Sequence, residues 1–283
     1  MPVPDDYRAD SRKRWGAGAE GWERQADAWR TATMPVAAWM IDALDPQPGH
    51  ALIELAAGTG DTGLLAAELV EPGGEVIISD FSPEMLAVAR RRADDLHAAN
   101  VRFKQIDAET SIDIPAAALD GALCRWGYPL MADPENALRE TRRVLKPGAR
   151  LSLAAWTAAE ENPWSALPSA MLEARGLAPP VDPEAPGQFA AAHPGLLEEQ
   201  LAAAGFSEHH VERLDFTIPY GSVEDWFDAQ ADQSGRFASA LAQAADADVA
   251  AIREALAAAA ERFPGPEGTL AVPAATWVAW AAA

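Results

Sequence analysis

Cysteine is almost absent from this chain of 283 residues, in which Cys124 is the single example. One cysteine excludes an internal disulfide and any metal site built from several cysteines. Basic residues are also scarce, because 22 Lys and Arg stand against 43 Asp and Glu, a formal net charge of −21. Such a charge repels nucleic acid and anionic membrane surfaces. The composition therefore indicates a cytoplasmic protein that binds neither nucleic acid nor membrane.

Long apolar segments are missing as well. The first residues, MPVPDDYRADSRKRWG, contain no apolar stretch typical of a secretory signal. No uninterrupted apolar run approaches the roughly 18 residues that a membrane-spanning helix needs. The five histidines show no metal-binding spacing, so we expect no metal. Hydrophobic residues nevertheless make up 49% of the chain, which is enough for a packed core.

Residues 51–156 alternate short β-rich runs with helical stretches, as βαβ units of a parallel sheet do. Ser82 followed by Pro83 is a typical helix start. The basic run at 90–92 is interpreted as a solvated face of that helix. A later helix is predicted over 134–148, ended by a Pro-Gly pair. The five apolar runs that we predict as strands are ALIELA (51–56), EVIIS (75–79), VRFKQI (101–106), LDGALC (119–124) and RLSLAAW (150–156).

The remainder of the chain is predicted to surround this core. Residues 1–48 form an N-terminal helical cap, and residues 49–158 form the core domain. A helical insertion and the last core helix occupy 159–205, and an edge hairpin occupies 206–283, with inserted helices at 222–262. The predicted fold is α/β and Rossmann-like, with a seven-stranded, mostly parallel sheet, an antiparallel edge hairpin, and the N-terminal and inserted helices as a cap.

The N-terminal cap carries two opposing signals. Three tryptophans are spaced by seven, which places them near one face of a helix: Trp15, Trp22 and Trp29. Three glycines fall among the first turns of the same helix: Gly16, Gly18 and Gly21. Because glycine weakens a helix interior, we expect only the later part of this helix to be regular.

A glycine loop follows the first predicted strand, with the pattern G-x-G-x-x-G at Gly58, Gly60 and Gly63. Such a loop at a helix N-terminus serves nicotinamide dinucleotides and S-adenosylmethionine equally. Two acids, Glu54 and Asp61, separate the alternatives. A like-charge pair at ~4 Å and an effective dielectric of ~20 costs about 4 kcal/mol, so a diphosphate is disfavoured and a cationic nucleoside is favoured.

Two further acidic positions suit an adenosine. Asp80 ends the second predicted strand, 20 residues after Gly60, where a carboxylate accepts hydrogen bonds from both ribose hydroxyls. Asp107, Ala108 and Glu109 follow the third strand, and an acid there can accept a hydrogen bond from the adenine amine. These positions are compatible with NAD or S-adenosylmethionine and disfavour NADP.

Five motifs together resemble class I S-adenosylmethionine-dependent methyltransferases, in particular small-molecule enzymes similar to those of ubiquinone and menaquinone biosynthesis. The resemblance covers roughly residues 50–156. One departure is Ala56, where the family often has its first glycine; we expect this alanine to have a negative φ. The motifs are LIELAAGTGDTG, VIISDFSPEML, FKQIDAET, LDGALCRWG and RETRRVLKPGARLSLAAW.

The resemblance implies a cofactor site. Glu54, Gly58 and Gly60 would border the methionine end of S-adenosylmethionine, and Asp80 would take the ribose. Phe81 and Met85 would pack near the adenine, Asp107 to Glu109 would bracket its edge, and Arg125 with Trp126 would lie near the sulfonium. The complete predicted set is Glu54, Ala56, Gly58, Thr59, Gly60, Asp80, Phe81, Met85, Asp107, Ala108, Glu109, Arg125 and Trp126.

The predicted activity is in-line methyl transfer to a small, partly hydrophobic acceptor. The acceptor pocket is assigned to Trp15, Trp22, Tyr128 and Trp156. No catalytic residue is identified; candidates for a general base, by residue type, are Tyr128, His193 and Tyr220. The alternatives are an NAD-dependent oxidoreductase, for which a Tyr-x-x-x-Lys pair is lacking, and a non-catalytic S-adenosylmethionine-binding protein. The sequence leaves a homodimer open.

Overall fold

The computed structural model describes residues 4–182 and 185–283. Residues 1–3 of the predicted cap and 183–184 of the predicted helical insertion lie outside the described residues. The strands are β1 Ala51–Glu54, β2 Glu75–Asp80, β3 Val101–Gln105, β4 Leu119–Arg125, β5 Leu145–Trp156, β6 Glu208–Tyr220 and β7 Leu270–Ala282. The α-helices are α1 Pro4–Leu44, α2 Asp61–Leu69, α3 Pro83–Asp95, α4 Pro134–Val144, α5 Pro163–Ala174, α6 Leu196–Ala203, α7 Val223–Gln233, α8 Gly235–Leu241 and α9 Asp246–Ala260.

The seven strands form one sheet in the order β3-β2-β1-β4-β5-β7-β6. The first five are mutually parallel, whereas β7 runs antiparallel to both β5 and β6. This arrangement confirms the predicted mostly parallel sheet with an antiparallel hairpin at its edge. In chain order, the helices α7, α8 and α9 are inserted between the two strands of the hairpin, as the sequence predicted.

Strand direction decides which residues meet at the ligand-binding edge. β1 is flanked by β2 on one side and β4 on the other, so the chain changes its direction of travel across the sheet at this strand. In open α/β sheets, ligands bind at the carboxyl ends of the strands beside such a point. Because β6 runs in the same direction as β5, its carboxyl end at Tyr220 lies at this edge too.

The N-terminal segment is one continuous helix of 41 residues, so the expectation of an irregular beginning was wrong. The glycines allow close approach where the helix crosses other elements. A Cβ on Gly16 would lie 2.7 Å from a carboxylate oxygen of Glu84, and one on Gly21 would overlap the backbone carbonyl of Asp232. Tertiary packing against α3 and α7 therefore outweighs the low helix propensity of glycine.

The helix predicted over 134–148 ends earlier, at Val144, and the strand β5 begins at Leu145. Pro147 disfavours a helical conformation at Lys146, and Leu145 pairs with Leu119 of β4. The residues that we assigned to the last turn of a helix therefore extend the sheet.

Helices cover both faces of the sheet. On one face, α4 and α6 pack over β1, β4 and β5. On the other face, the second half of α1 packs beside α2 and α3, with Val36 and Met40 fully buried. Each such side chain contributes about 1.5–3 kcal/mol through burial. Among the residues that the structure describes, no helix combines the length and apolar character required to cross a bilayer.

Candidate functional site

The glycine loop joins β1 to α2 in a turn that contains three residues with positive φ. Gly58 has φ 55° and Gly60 has φ 81°, as their residue type permits. Ala56 has φ 49°, so the expectation of a negative φ at this alanine was wrong. The amide of Ala57 donates to the carbonyl of Ser79 on β2, at 2.9 Å, which fixes the turn against the neighbouring strand. A strained alanine in a loop held this way is typical of a ligand-binding turn.

Glu54 closes the N-terminus of α2. Its side chain is buried, and its Oε2 atom accepts a hydrogen bond of 2.9 Å from the amide of Gly63 in the first turn. Burial raises the pKa of this carboxyl group from 4.5 to about 8, against the opposing influence of Arg125. One of the amides that could bind a diphosphate at this helix start is thus already bonded to a carboxyl group of the protein itself.

Asp80 connects the glycine loop to the beginning of α3. Its Oδ2 atom accepts a hydrogen bond from the amide of Gly58 at 2.8 Å, and its Oδ1 atom accepts one from the amide of Ser82 at 2.9 Å. Burial raises the pKa of Asp80 to about 6 despite these bonds. Ser82 caps α3 by accepting from the amide of Met85, as predicted for a helix start at this position. The carboxylate is therefore fixed beside the loop before any ligand binds.

The acids after β3 are tied to the cap and to the loop before α4. Asp107 lies 3.8 Å from Arg8 and 3.8 Å from Arg12 of α1. Glu109 is buried, and its Oε2 atom accepts a hydrogen bond of 2.8 Å from the amide of Asp133. Burial raises the pKa of Glu109. The first turns of α1 thus lie across the tips of β2 and β3, where Arg12 is also 5.8 Å from the ring centroid of Phe81.

Asp61 lies between two arginines, which the sequence did not indicate. Its carboxylate contacts Arg92 at 2.5 Å and Arg125 at 3.0 Å, and its side chain is only 2% exposed. Arg125 also donates to Thr33 of α1 at 2.7 Å. The negative charge of Asp61 is therefore neutralised, and only Glu54 can carry the charge argument made from the sequence.

Arg92 corrects a second expectation. The basic run at 90–92 was predicted to be a solvated helix face. Arg90 and Arg91 are exposed as predicted, whereas the side chain of Arg92 is only 13% exposed. Arg91 reaches Glu23 of α1, at 2.6 Å. Both arginines connect α3 to other elements because the cap lies over this helix. The sequence of α3 alone does not show that the cap is close.

Tryptophans connect the cap to the ends of β4 and β5. The predicted face of α1 is real: the ring centroids of Trp15 and Trp22 are 5.9 Å apart, and those of Trp22 and Trp29 are 5.6 Å apart. Trp29 continues to Trp126, with centroids 5.8 Å apart. Trp126 has φ 61° and stacks on Trp156 at 4.2 Å. These five rings form an aromatic wall beside the glycine loop. That Trp15, Trp22 and Trp156 contact the acceptor stays a prediction.

Tyr128 is directed away from this wall. It is buried in the core with α4, and its hydroxyl lies 2.8 Å from the hydroxyl of Thr141. Its placement argues against a part in the acceptor pocket or as a base. His193 lies beside Trp277, next to α6, which also argues against a role as base. Tyr220 lies at the carboxyl edge, at the end of β6.

Most of the predicted cofactor residues lie at the carboxyl ends of β1, β2, β3 and β4, and this region is called the crevice. A model of the ubiE/COQ5 methyltransferase family matches residues 24–165. The chain belongs to this family. The match covers the second half of α1, the glycine loop and both arginine contacts of Asp61, and it includes Trp29, Trp126 and Trp156 of the aromatic wall but not Trp15 and Trp22. It leaves out the edge hairpin and the helices inserted in it.

Curated methyltransferases are similar to part of this chain. The demethylmenaquinone methyltransferase of Thermus thermophilus is 43% identical over 109 residues, which are 38% of this chain and 48% of that protein. The chain therefore spans about half the length of this curated relative.

Solved structures share the fold over a longer range. YcgJ from Bacillus subtilis is 21% identical, with 88% of this chain and 98% of that chain covered, at a TM-score of 0.57. Phosphoethanolamine N-methyltransferase 2 of Haemonchus contortus, solved in complex with S-adenosyl-L-methionine, is 18% identical. The alignment covers 87% of this chain and 51% of that chain, at a TM-score of 0.52. At these identities, the likeness extends to the fold alone.

Proposed function

We propose that this protein transfers the methyl group of S-adenosylmethionine to a small, partly hydrophobic acceptor. The observation that carries the proposal is the closed N-terminus of α2, where Glu54 holds the amide of Gly63. A glycine loop of this kind suits a nucleoside without a diphosphate. Membership of the ubiE/COQ5 methyltransferase family supports the same conclusion.

The residues of the crevice fit this cofactor. Gly58 has no heavy atom within 4 Å of the place where a Cβ would stand, so the loop leaves space for a ligand on that side. Asp80 would accept hydrogen bonds from the ribose, since each carboxylate oxygen has a further lone pair beyond its bond to a backbone amide. Phe81 and Ala108 would border the adenine, and Glu109 its amine.

With a pKa raised to about 8, Glu54 is mostly protonated at neutral pH, and it favours a cation in the crevice only in its ionised form. A neighbouring positive charge would lower the raised pKa of this group and stabilise its ionised form. Asp61 adds nothing to this attraction because Arg92 and Arg125 pair with it. The rings of the aromatic wall would add a cation–π contribution of roughly 0.5–2 kcal/mol where they face the sulfonium.

The cofactor supplies a methyl group already bonded to a good leaving group. The work of the protein is then to align the acceptor for an in-line displacement and to exclude water. The helix α1 is suited to exclude water because its residues contact the tips of β2, β3 and β4 at once. The aromatic side chains of α5 and α7, which pack behind the wall, favour an acceptor with an apolar body.

Calorimetric titration with S-adenosylmethionine and, separately, with NADH tests this function. We expect binding of the first and none of the second. Replacement of Asp80 by Ala should weaken S-adenosylmethionine binding by roughly 1.5–3 kcal/mol, the range for a lost charged hydrogen bond, or about 10- to 150-fold. Asp80→Asn, which keeps the shape, separates loss of charge from loss of packing.

Asp113→Ala is the matched control, because this acid is 93% exposed and lies outside the crevice. Its affinity should equal that of the unmodified protein. Unchanged affinity in a folded Asp80→Ala variant would remove the ribose assignment, and tight NADH binding would refute the proposal. Formation of S-adenosylhomocysteine with a panel of acceptors distinguishes an enzyme from a protein that only binds the cofactor.

A further inference from the structure

A second concave site lies at the carboxyl edge, between α1, the end of β6 and the beginning of α7. It is a cavity of about 330 Å³. Apart from Trp29, which also belongs to the aromatic wall, none of its residues was assigned to the cofactor crevice. The residues that line it are Gln25, Ala28, Trp29, Ala32, Ile218, Pro219, Tyr220, Gly221, Asp225, Asp228, Ala229 and Gln233.

Two residues of this cavity carry polar groups that the fold leaves unused. Tyr220 is only 8% exposed, and its buried hydroxyl has the side chain of Gln230 as a polar neighbour but forms no well-aligned hydrogen bond among the described residues. The side-chain nitrogen of Gln233 is likewise buried without a hydrogen bond. Leaving such a group unsatisfied costs about 1–3 kcal/mol, so a ligand that reached these two groups would gain from completing them.

The charge of the cavity is of one sign. Asp225 and Asp228 line it, and no Arg, Lys or His is among its lining residues. Neither carboxylate forms an ion pair within the described part of the chain. The nearby Arg24 is bonded to Asp232, which also accepts from Gln25 at 2.7 Å. An anionic ligand would therefore meet only repulsion here, whereas an ammonium group would find two unpaired carboxylates.

Trp29 joins this cavity to the cofactor crevice. It lines the cavity, and its ring centroid lies 5.8 Å from that of Trp126. Trp126 directly follows Arg125, whose guanidinium is bonded to Asp61 at the beginning of α2. A molecule that rests on Trp29 is thus one aromatic ring away from the tip of β4. The cavity is placed to hold one end of a molecule whose other end reaches the crevice.

We propose that the cavity binds the basic, non-reacting end of the methyl acceptor, and that the acceptor is a small amine with an apolar ring. The ring would lie against Trp29 and the ammonium group beside Asp225 and Asp228, while Tyr220 and Gln233 would bond to an oxygen of the acceptor. The volume is at the low end for ligand sites, which limits this end to about one or two rings. Binding energy from this non-reacting end would serve to align the reacting atom. That the bound molecule is a methyl acceptor rests on the proposed function. That it is an amine with an apolar ring rests on the cavity alone.

Three probes of nearly equal size test the chemistry: 2-phenylethylamine, phenylacetate and 2-phenylethanol. Their affinities for the full chain are measured by tryptophan fluorescence, with and without saturating S-adenosylhomocysteine. We expect the amine to bind at least tenfold more tightly than the acid, with the neutral alcohol between them. The double variant Asp225→Asn, Asp228→Asn should reduce the affinity for the amine roughly 2- to 30-fold, as two solvent-exposed ion pairs predict.

The same double variant should change the affinity for the alcohol less than twofold. The control is Asp42→Asn with Glu68→Gln, two exposed acids outside the cavity whose loss changes the net charge equally. It should leave all three affinities unchanged. Equal binding of amine and acid, or equal loss of amine and alcohol affinity in the cavity variant, would overturn the proposal.

Calorimetry with S-adenosylmethionine on the same samples separates the two proposals. Retained cofactor binding without preference for the amine refutes the assignment of the cavity alone. Absent cofactor binding with a clear preference for the amine refutes the methyl transfer and supports an amine site at this place.

Discussion

Replacing Glu54 by Gln should stabilise the protein increasingly as the pH rises. Burial raises the pKa of this carboxyl group from 4.5 to about 8, so the folded protein holds the proton more tightly than the unfolded chain. Stability from this group is present below pH 4.5 and is lost between pH 4.5 and about 8. Gln stays neutral at every pH, and its carbonyl oxygen can still accept the hydrogen bond from Gly63.

The magnitude follows from the same two values. A pKa raised from 4.5 to about 8 corresponds to at most about 5 kcal/mol of stability lost at high pH. Local relaxation and water entry reduce such penalties, and we expect on the order of 2–3 kcal/mol in favour of Gln at pH 9. At pH 5, where the folded protein keeps Glu54 protonated, the two proteins should agree within about 1 kcal/mol.

Urea unfolding at pH 5 and pH 9, followed by tryptophan fluorescence, measures both differences. Glu68→Gln on the exposed side of α2 is the control, and its effect on stability should not depend on pH. A Glu54→Gln effect that is the same at both pH values, or a variant that becomes less stable than the parent at pH 9, would refute the reasoning.

Two further substitutions test the packing of the cap and the glycine loop. Gly21→Ala should destabilise the protein by about 1–3 kcal/mol, because the added Cβ overlaps the backbone of α7; Gly18→Ala, whose Cβ would be 3.7 Å from its nearest neighbour, should instead stabilise by up to about 1 kcal/mol. Thermal unfolding compares the stabilities of the two variants. Equal changes in stability would show that α1 does not pack closely against α7 at Gly21. Asp61→Asn should cost about 3–5 kcal/mol, since two arginines with side chains only 13% and 9% exposed lose their carboxylate. Asp27→Asn, at a side chain 91% exposed, should change the free energy of unfolding by less than about 0.5 kcal/mol in the same urea titration, and a similar loss in both would contradict the buried network.

Local patterns were sufficient for most of the architecture. Alternating apolar runs between 51 and 156 predicted the parallel strands, and the long polar-apolar run at 209–220 predicted β6. The spacing of seven predicted the shared face of the three tryptophans of α1. These features follow from the periods of strands and helices, which a sequence displays directly.

The wrong predictions concern residues whose conformation or burial depends on a neighbour distant in the chain. Gly21 is helical because α7 crosses it, and Arg92 is mostly shielded from solvent because Asp61 lies beside it. Ala56 has a positive φ because its turn is hydrogen-bonded to β2. Intrinsic propensity and solvent preference describe a residue alone, and each of these contacts is worth more than the preference that it overrides.

The sequence alone determined the order of the strands and helices, the glycine loop and the acids at the strand ends, because each depends on residues close together in the chain. Only the tertiary structure decided the charge of the site. Among the described residues, Asp61 forms ion pairs with two arginines, whereas Glu54 forms none and feels Arg125 only at longer range. Whether an acid is neutralised depends on side chains that approach from other elements, and burial then sets the free energy of its ionised form.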